Sequence, residues 1–81
     1  MKIHVQFFSH LKDLAAASAG EVEVPSGAKV DDLLTLLYAQ TPALQKWDSA
    51  ILIGAGVEFV TRDYVLQPDE EIALMPPVQG G

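Results

Sequence analysis

Residues 3 to 8 alternate along the chain: Ile3, Val5 and Phe7 share one face, and His4, Gln6 and Phe8 share the other. That period of two predicts a strand. From Ser9 to Ala17 the spacing changes to threes and fours, with Leu11, Leu14 and Ala15 as the apolar positions, and Gly20 punctuates the end of this helical segment. Glu21-Val22-Glu23-Val24 alternates again as a second strand, and Pro25-Ser26-Gly27 signals a turn. Val30, Leu33, Leu34 and Leu37 then form the i, i+3, i+4, i+7 stripe of an amphipathic helix. Asp31 and Asp32 fall in its first turn, where the helix dipole favours negative charge, and Thr41-Pro42 closes it.

Beyond that helix the signals shorten. Leu44 and Trp47 suggest a second short helical turn. Ile51-Leu52-Ile53 reads as a buried strand, Gly54-Ala55-Gly56 as a turn, and Glu58-Phe59-Val60 as a short strand returning from it. Gln67-Pro68-Asp69-Glu70 is a turn into the last strand, Glu71 to Met75, with Ile72 and Leu74 on one face. The acids Asp69, Glu70 and Glu71 are expected to form a solvated corner. The order is one of mixed strands around one main helix, an α+β arrangement with a four- to five-stranded sheet. The last strand is the natural central one, because it is apolar and its two prolines follow the ladder instead of interrupting it. Parallel pairing of that strand with the first would make the fold a β-grasp, or ubiquitin-like, domain.

Composition narrows the chemistry more than the fold. At 81 residues, the chain is expected to form one domain, and its hydrophobic share of 49% supports a packed core without staples. It has no cysteine, which removes disulfides, thiolate metal sites and a cysteine nucleophile. His4 and His10 are the two histidines and give no spacing for a metal site. The formal net charge is −6, with five scattered bases, so the clustered basic face needed to bind nucleic acid is missing. An acidic small domain instead suits partners that offer basic surface. No run of 18 apolar residues marks a membrane span, and the start of the chain lacks the apolar block of a signal peptide. The expected location is the cytoplasm.

Side chains offer no credible active site. No phosphate-binding glycine loop, nucleophile elbow or His-Glu-x-x-His is present, and Ser9 beside His10 is a weak pair. Tyr38 and Trp47 read as core or core-edge residues. The remaining reactive group is the carboxylate of the last residue. Met75-Pro76-Pro77-Val78-Gln79-Gly80-Gly81 divides the chain into an expected domain over residues 1–75 and an extended tail over residues 76–81. Pro76 and Pro77 fix φ and stiffen the exit from the sheet. Gly80 and Gly81 let the backbone enter a narrow site without a Cβ clash. Joined to AMP, such a carboxylate becomes an anhydride that a sulfur donor can convert to a thiocarboxylate. A solvated, functionless terminus is the plainer alternative.

With Val5-Gln6-Phe7-Phe8 near the start and Pro-Pro-Val-Gln-Gly-Gly at the end, the chain resembles the sulfur-carrying small subunits of molybdopterin synthase, the MoaD-type carriers related to the thiamine carrier ThiS. The resemblance covers essentially the whole length and implies a β-grasp fold. It implies that an E1-like adenylating enzyme, using ATP and magnesium, activates Gly81, which then becomes a thiocarboxylate. It also implies that the tail enters the large subunit of the synthase, in a heterotetramer, and gives its sulfur to cyclic pyranopterin monophosphate. Gly81 would carry the sulfur, Gly80 permit its entry, and Pro76, Pro77, Val78 and Gln79 line the partner's channel. Phe8, Phe59 and Met75 align with the family's apolar docking surface. Many relatives have Phe at position 75 and Asn at position 56. A carrier for thiamine or another thiolated product, a ubiquitin-like modifier of lysines, and a plain interaction module remain as alternatives.

Overall fold

The structure is a computed structural model that describes residues 1–9, 11 and 19–76. Of the expected first helix only Ser9 and Leu11 are described, Ser9 as a turn residue with a left-handed φ of 56° and not as helix; the rest lies outside the described residues, as do the tail residues Pro77, Val78, Gln79, Gly80 and Gly81. The described strands are β1 (Lys2–Phe7), β2 (Ala19–Glu23), β3 (Leu52–Ala55), β4 (Glu58–Phe59) and β5 (Glu71–Met75). They form one sheet in the order β2-β1-β5-β3-β4. The last strand is therefore central, and it pairs in parallel with the first, Val5 opposite Ile72 and Phe7 opposite Leu74. β1–β2, β3–β5 and β3–β4 are antiparallel.

One helix, α1 (Val30–Gln40), packs on this sheet. Its stripe residues Val30, Leu33, Leu34 and Leu37 are buried against Ile3, Val5, Ile53, Ile72 and Leu74 in a single core. Burial of each such side chain contributes about 1.5–3 kcal/mol. The helix starts where two otherwise unpaired amides find carbonyls: Val30 N donates to Tyr64 O and Asp31 N to Arg62 O, both at 3.0 Å. The Asp32 carboxylate accepts from Lys29 N at 2.9 Å, so Asp32 has a local capping role beside the favourable place of the acidic pair in the dipole. At the other end Thr41 N donates to Leu37 O at 2.8 Å, and Pro42 follows.

Several boundaries differ from the sequence expectation. Gly20 does not end a helix but lies inside β2, paired with Val5. The turn after α1 is a 3₁₀ helix over Pro42–Ala50. Gly54 and Ala55 belong to β3, paired with Ala73 and Ile72, and the turn falls at Gly56, whose φ of 64° is left-handed. Leu52, expected in a buried strand, is 37% exposed, because that strand is open to solvent on one face. Glu70 is not a free corner. Its carboxylate accepts from Gln67 N at 2.9 Å and from the Tyr64 hydroxyl, and so closes the turn before β5.

Candidate functional site

α1 covers one face of the sheet, and among the described residues no element covers the other, the open face. Alternation decides which residues reach it. On β5, Ile72 and Leu74 turn to the core, which leaves Glu71, Ala73 and Met75 outward. On β3, Ile53 turns inward, and Leu52 and Gly54 turn outward. Gly54 is the register partner of both Ala73 and Phe59, so Phe59 joins the open face from the edge strand. The open face thus changes character along the strands. At one end stand Glu21, His4 and Glu71, which are register neighbours. At the other end, where the chain runs on into Pro76, stand Phe8, Met75 and Leu52.

Phe8 is 40% exposed and Phe59 71% exposed. Solvation of two aromatic rings in one apolar region is unfavourable unless a partner covers them. Phe8 is held in place by its backbone: its N–H donates to Leu74 O at 3.0 Å. Small residues in the middle of the sheet, Gly54 and Ala73, leave a shallow concavity of about 560 Å³ that Phe8 and Gln6 also border. His4 Nδ1 lies 3.5 Å from Glu21 Oε2, and Lys2 Nζ lies 3.8 Å from the same carboxylate. These pairs are solvent-exposed and contribute little to stability.

The structure thus brings Phe8, Met75 and Phe59 onto one face, with the half-buried Pro76 next in the chain after Met75. Gly81, Gly80, Pro77, Val78 and Gln79 lie outside the described residues. Among the described residues no three His, Asp or Glu side chains come together in a way that could hold a metal ion. No helix of the described residues is long and apolar enough to cross a membrane.

One cluster near this face is not apparent from the sequence. Asp48, in the 3₁₀ helix, accepts from the Tyr38 hydroxyl at 2.6 Å and from Arg62 Nη1 at 2.8 Å, and its own carbonyl accepts from Arg62 Nη2. The cluster ties α1, the 3₁₀ helix and the segment after Phe59 together. Burial and the Asp48 carboxylate push the Tyr38 hydroxyl up to about 12. The bond from Tyr38, with help from Arg62, holds the Asp48 carboxyl below the usual carboxylate range. The hydrogen bond to Glu70 likewise raises the Tyr64 hydroxyl. These groups lie at separations with no local spacing signal, so no sequence pattern marks them.

A mixed sheet with its last strand in the middle, parallel to the first and crossed by the helix α1, defines a β-grasp protein of the ubiquitin-like class. The ThiS family model matches residues 5–81, and the chain belongs to that family. It is 29% identical over 83 residues to a molybdopterin synthase sulfur carrier subunit of Chlamydomonas reinhardtii, with the whole of both chains covered. Among solved structures it is similar to SAMP1 of Haloferax volcanii, with a TM-score of 0.87, 27% identity and full coverage of both chains. A complex of subunits 1 and 2 of the molybdopterin-converting factor from Helicobacter pylori also contains this fold, with a TM-score of 0.74 at 21% identity over the full length of both chains.

Proposed function

We propose that this chain is the sulfur-carrier small subunit of a molybdopterin synthase, with Gly81 as the group that carries sulfur. The observation that carries the reading is the continuity of three features. The central strand β5 ends at Met75, on the apolar end of the open face, and passes directly into Pro76-Pro77-Val78-Gln79-Gly80-Gly81. Membership of the ThiS family and the names of the curated relatives support it.

In this reading Phe8, Phe59 and Met75 dock on the large subunit, and Pro76 to Gln79 occupy its channel. Gly80 and Gly81, without side chains, reach the reacting centre. Five residues beyond Pro76 span up to about 17 Å when extended, enough to enter a site well outside this domain. The Gly81 carboxylate first attacks the α-phosphorus of ATP, held with magnesium by an E1-like adenylating enzyme, and pyrophosphate leaves. A sulfide-level donor then displaces AMP, which departs with the carboxylate's oxygen, and the thiocarboxylate remains. In the synthase, a heterotetramer in this reading, the thiocarboxylate sulfur bonds to a carbon of cyclic pyranopterin monophosphate as a carbon–oxygen bond at that carbon breaks, which gives a thioester to Gly81. Water then attacks the Gly81 acyl carbon and breaks its bond to sulfur, so that the carboxylate is restored and the sulfur stays on the pterin. The chemistry suits the cytoplasm, where ATP is available.

The likeness to SAMP1, whose full name in a second Haloferax volcanii structure is small archaeal modifier protein 1, supports a second reading in which the same activated terminus is joined to lysines. Coexpression with the adenylating enzyme, followed by intact-mass measurement and a pyranopterin conversion assay, separates the two. Exchange of one oxygen for sulfur together with conversion supports the carrier. An isopeptide-linked adduct without conversion supports the modifier, and neither product rules out both.

A further inference from the structure

Gly54 stands in the interior of a strand, where glycine lacks a side chain to pack and weakens the ladder. Its backbone is not left-handed, so conformation does not explain it. The space above it does. A Cβ placed at position 54 would lie 3.2 Å from Met75 Cε, 3.7 Å from Ala73 Cβ and 3.8 Å from the Glu58 carbonyl oxygen. The residue is buried although it faces outward, because Met75 reaches across from the neighbouring strand and covers it. Met75 is directly opposite Leu52 in register, so its unbranched side chain runs back along the sheet to the glycine. Methionine can bend into such a gap, since it has three flexible bonds and no branch.

We propose that Gly54 is a positioning residue for docking: it leaves the trough in which the Met75 side chain lies flat, and so sets the height of the apolar face beside the tail. The inference rests on the carrier reading for its consequence, and on the geometry alone for the seat itself. An alanine at position 54 brings a methyl group into a contact tighter than ordinary van der Waals packing. The flexible end of Met75 is the part able to give way, and it rises into the space that the partner surface must occupy.

The chain carries two methionines, Met1 and Met75, so methyl-labelled methionine gives Met75 its own resonance. Gly54→Ala is expected to move that resonance. It is also expected to raise the carrier concentration that half-saturates the large subunit by roughly five- to tenfold, with turnover at saturation unchanged. In a Met75→Ala background the same substitution is expected to add no further loss. A Met75 methyl resonance that does not move, or an equal loss of affinity in both backgrounds, overturns the proposal. Should Gly54→Ala alone fail to fold, its recovery by Met75→Ala supports the seat, and failure to recover overturns it. If the unsubstituted chain never acquires sulfur, the functional reading fails, while the methyl resonance still decides the seat.

Discussion

The Phe8 amide donates to the Leu74 carbonyl at 3.0 Å, which ties the first exposed aromatic after β1 to the strand that leads into the tail. That bond fixes the point at which the 40% exposed ring leaves the sheet. Phe8→Asp should leave the core intact, and Phe59→Asp should do the same on the edge strand. Each is expected to weaken large-subunit binding by about 2 kcal/mol or more, as a central apolar anchor does, with thermal midpoints close to the parent. Calorimetric titration beside a thermal melt checks this. Equal losses of binding and of folding would show that the rings serve the core instead.

Deletion of Gly81 is expected to abolish thiocarboxylate formation and leave the thermal midpoint within error. The core of the described residues runs from Ile3 to Leu74, and a glycine has no side chain with which to add apolar surface to it. Intact-mass measurement after coexpression with the adenylating enzyme reads the first effect. A melting curve reads the second, and a clear drop in midpoint would show that the tail packs on the domain.

Asp48 joins Tyr38 and Arg62, and removal of its carboxylate takes the acceptor from the Tyr38 hydroxyl and from Arg62 Nη1, while the Asp48 backbone carbonyl still accepts from Arg62 Nη2. Asp48→Ala is expected to cost about 1 kcal/mol, the usual worth of such hydrogen bonds, because the side chain is 46% exposed and solvent screens the ion pair. Since the folded carboxyl titrates below its unfolded value, its contribution is complete above about pH 4 and is lost as pH falls through the lower folded value. Urea midpoints of parent and variant should therefore converge as the solution is acidified. A constant gap would mean that packing, not charge, is lost.

The opposite sign applies to Tyr38. Its hydroxyl ionises at about 12 in the fold and near 10 in the unfolded chain, so its contribution holds below the unfolded value and is lost as pH rises toward the folded one. Tyr38→Phe should lower stability at neutral pH and flatten the alkaline decline between those limits. Denaturant midpoints measured across that window test this, and parallel curves for parent and variant would contradict it.

The helix stripe of Val30, Leu33, Leu34 and Leu37 was legible because one face of a helix repeats locally. The central place of β5 was legible because its prolines follow the strand. The gathering of Phe8, Met75 and Phe59 on one face was only partly so: alternation turns Phe8 outward, but the resemblance to the MoaD-type carriers supplied the other two. Gly54 was misread as turn punctuation, since the cause of a glycine there is a methionine far along the chain. The Tyr38–Asp48–Arg62 cluster left no local trace, because tertiary packing alone brings its members together. Glu70 looked like one more surface acid among three, and only the folded turn gives it two donors.

The strand that leads into the tail has a ladder on each side, β1 in parallel and β3 antiparallel. A lengthwise pull on the terminus, such as an enzyme exerts when it grips the last residues, therefore loads both ladders in shear, and many bonds must yield at once. A tail attached to an edge strand would have one ladder alone to resist the same pull. The domain is built as a handle that can be tugged without unravelling.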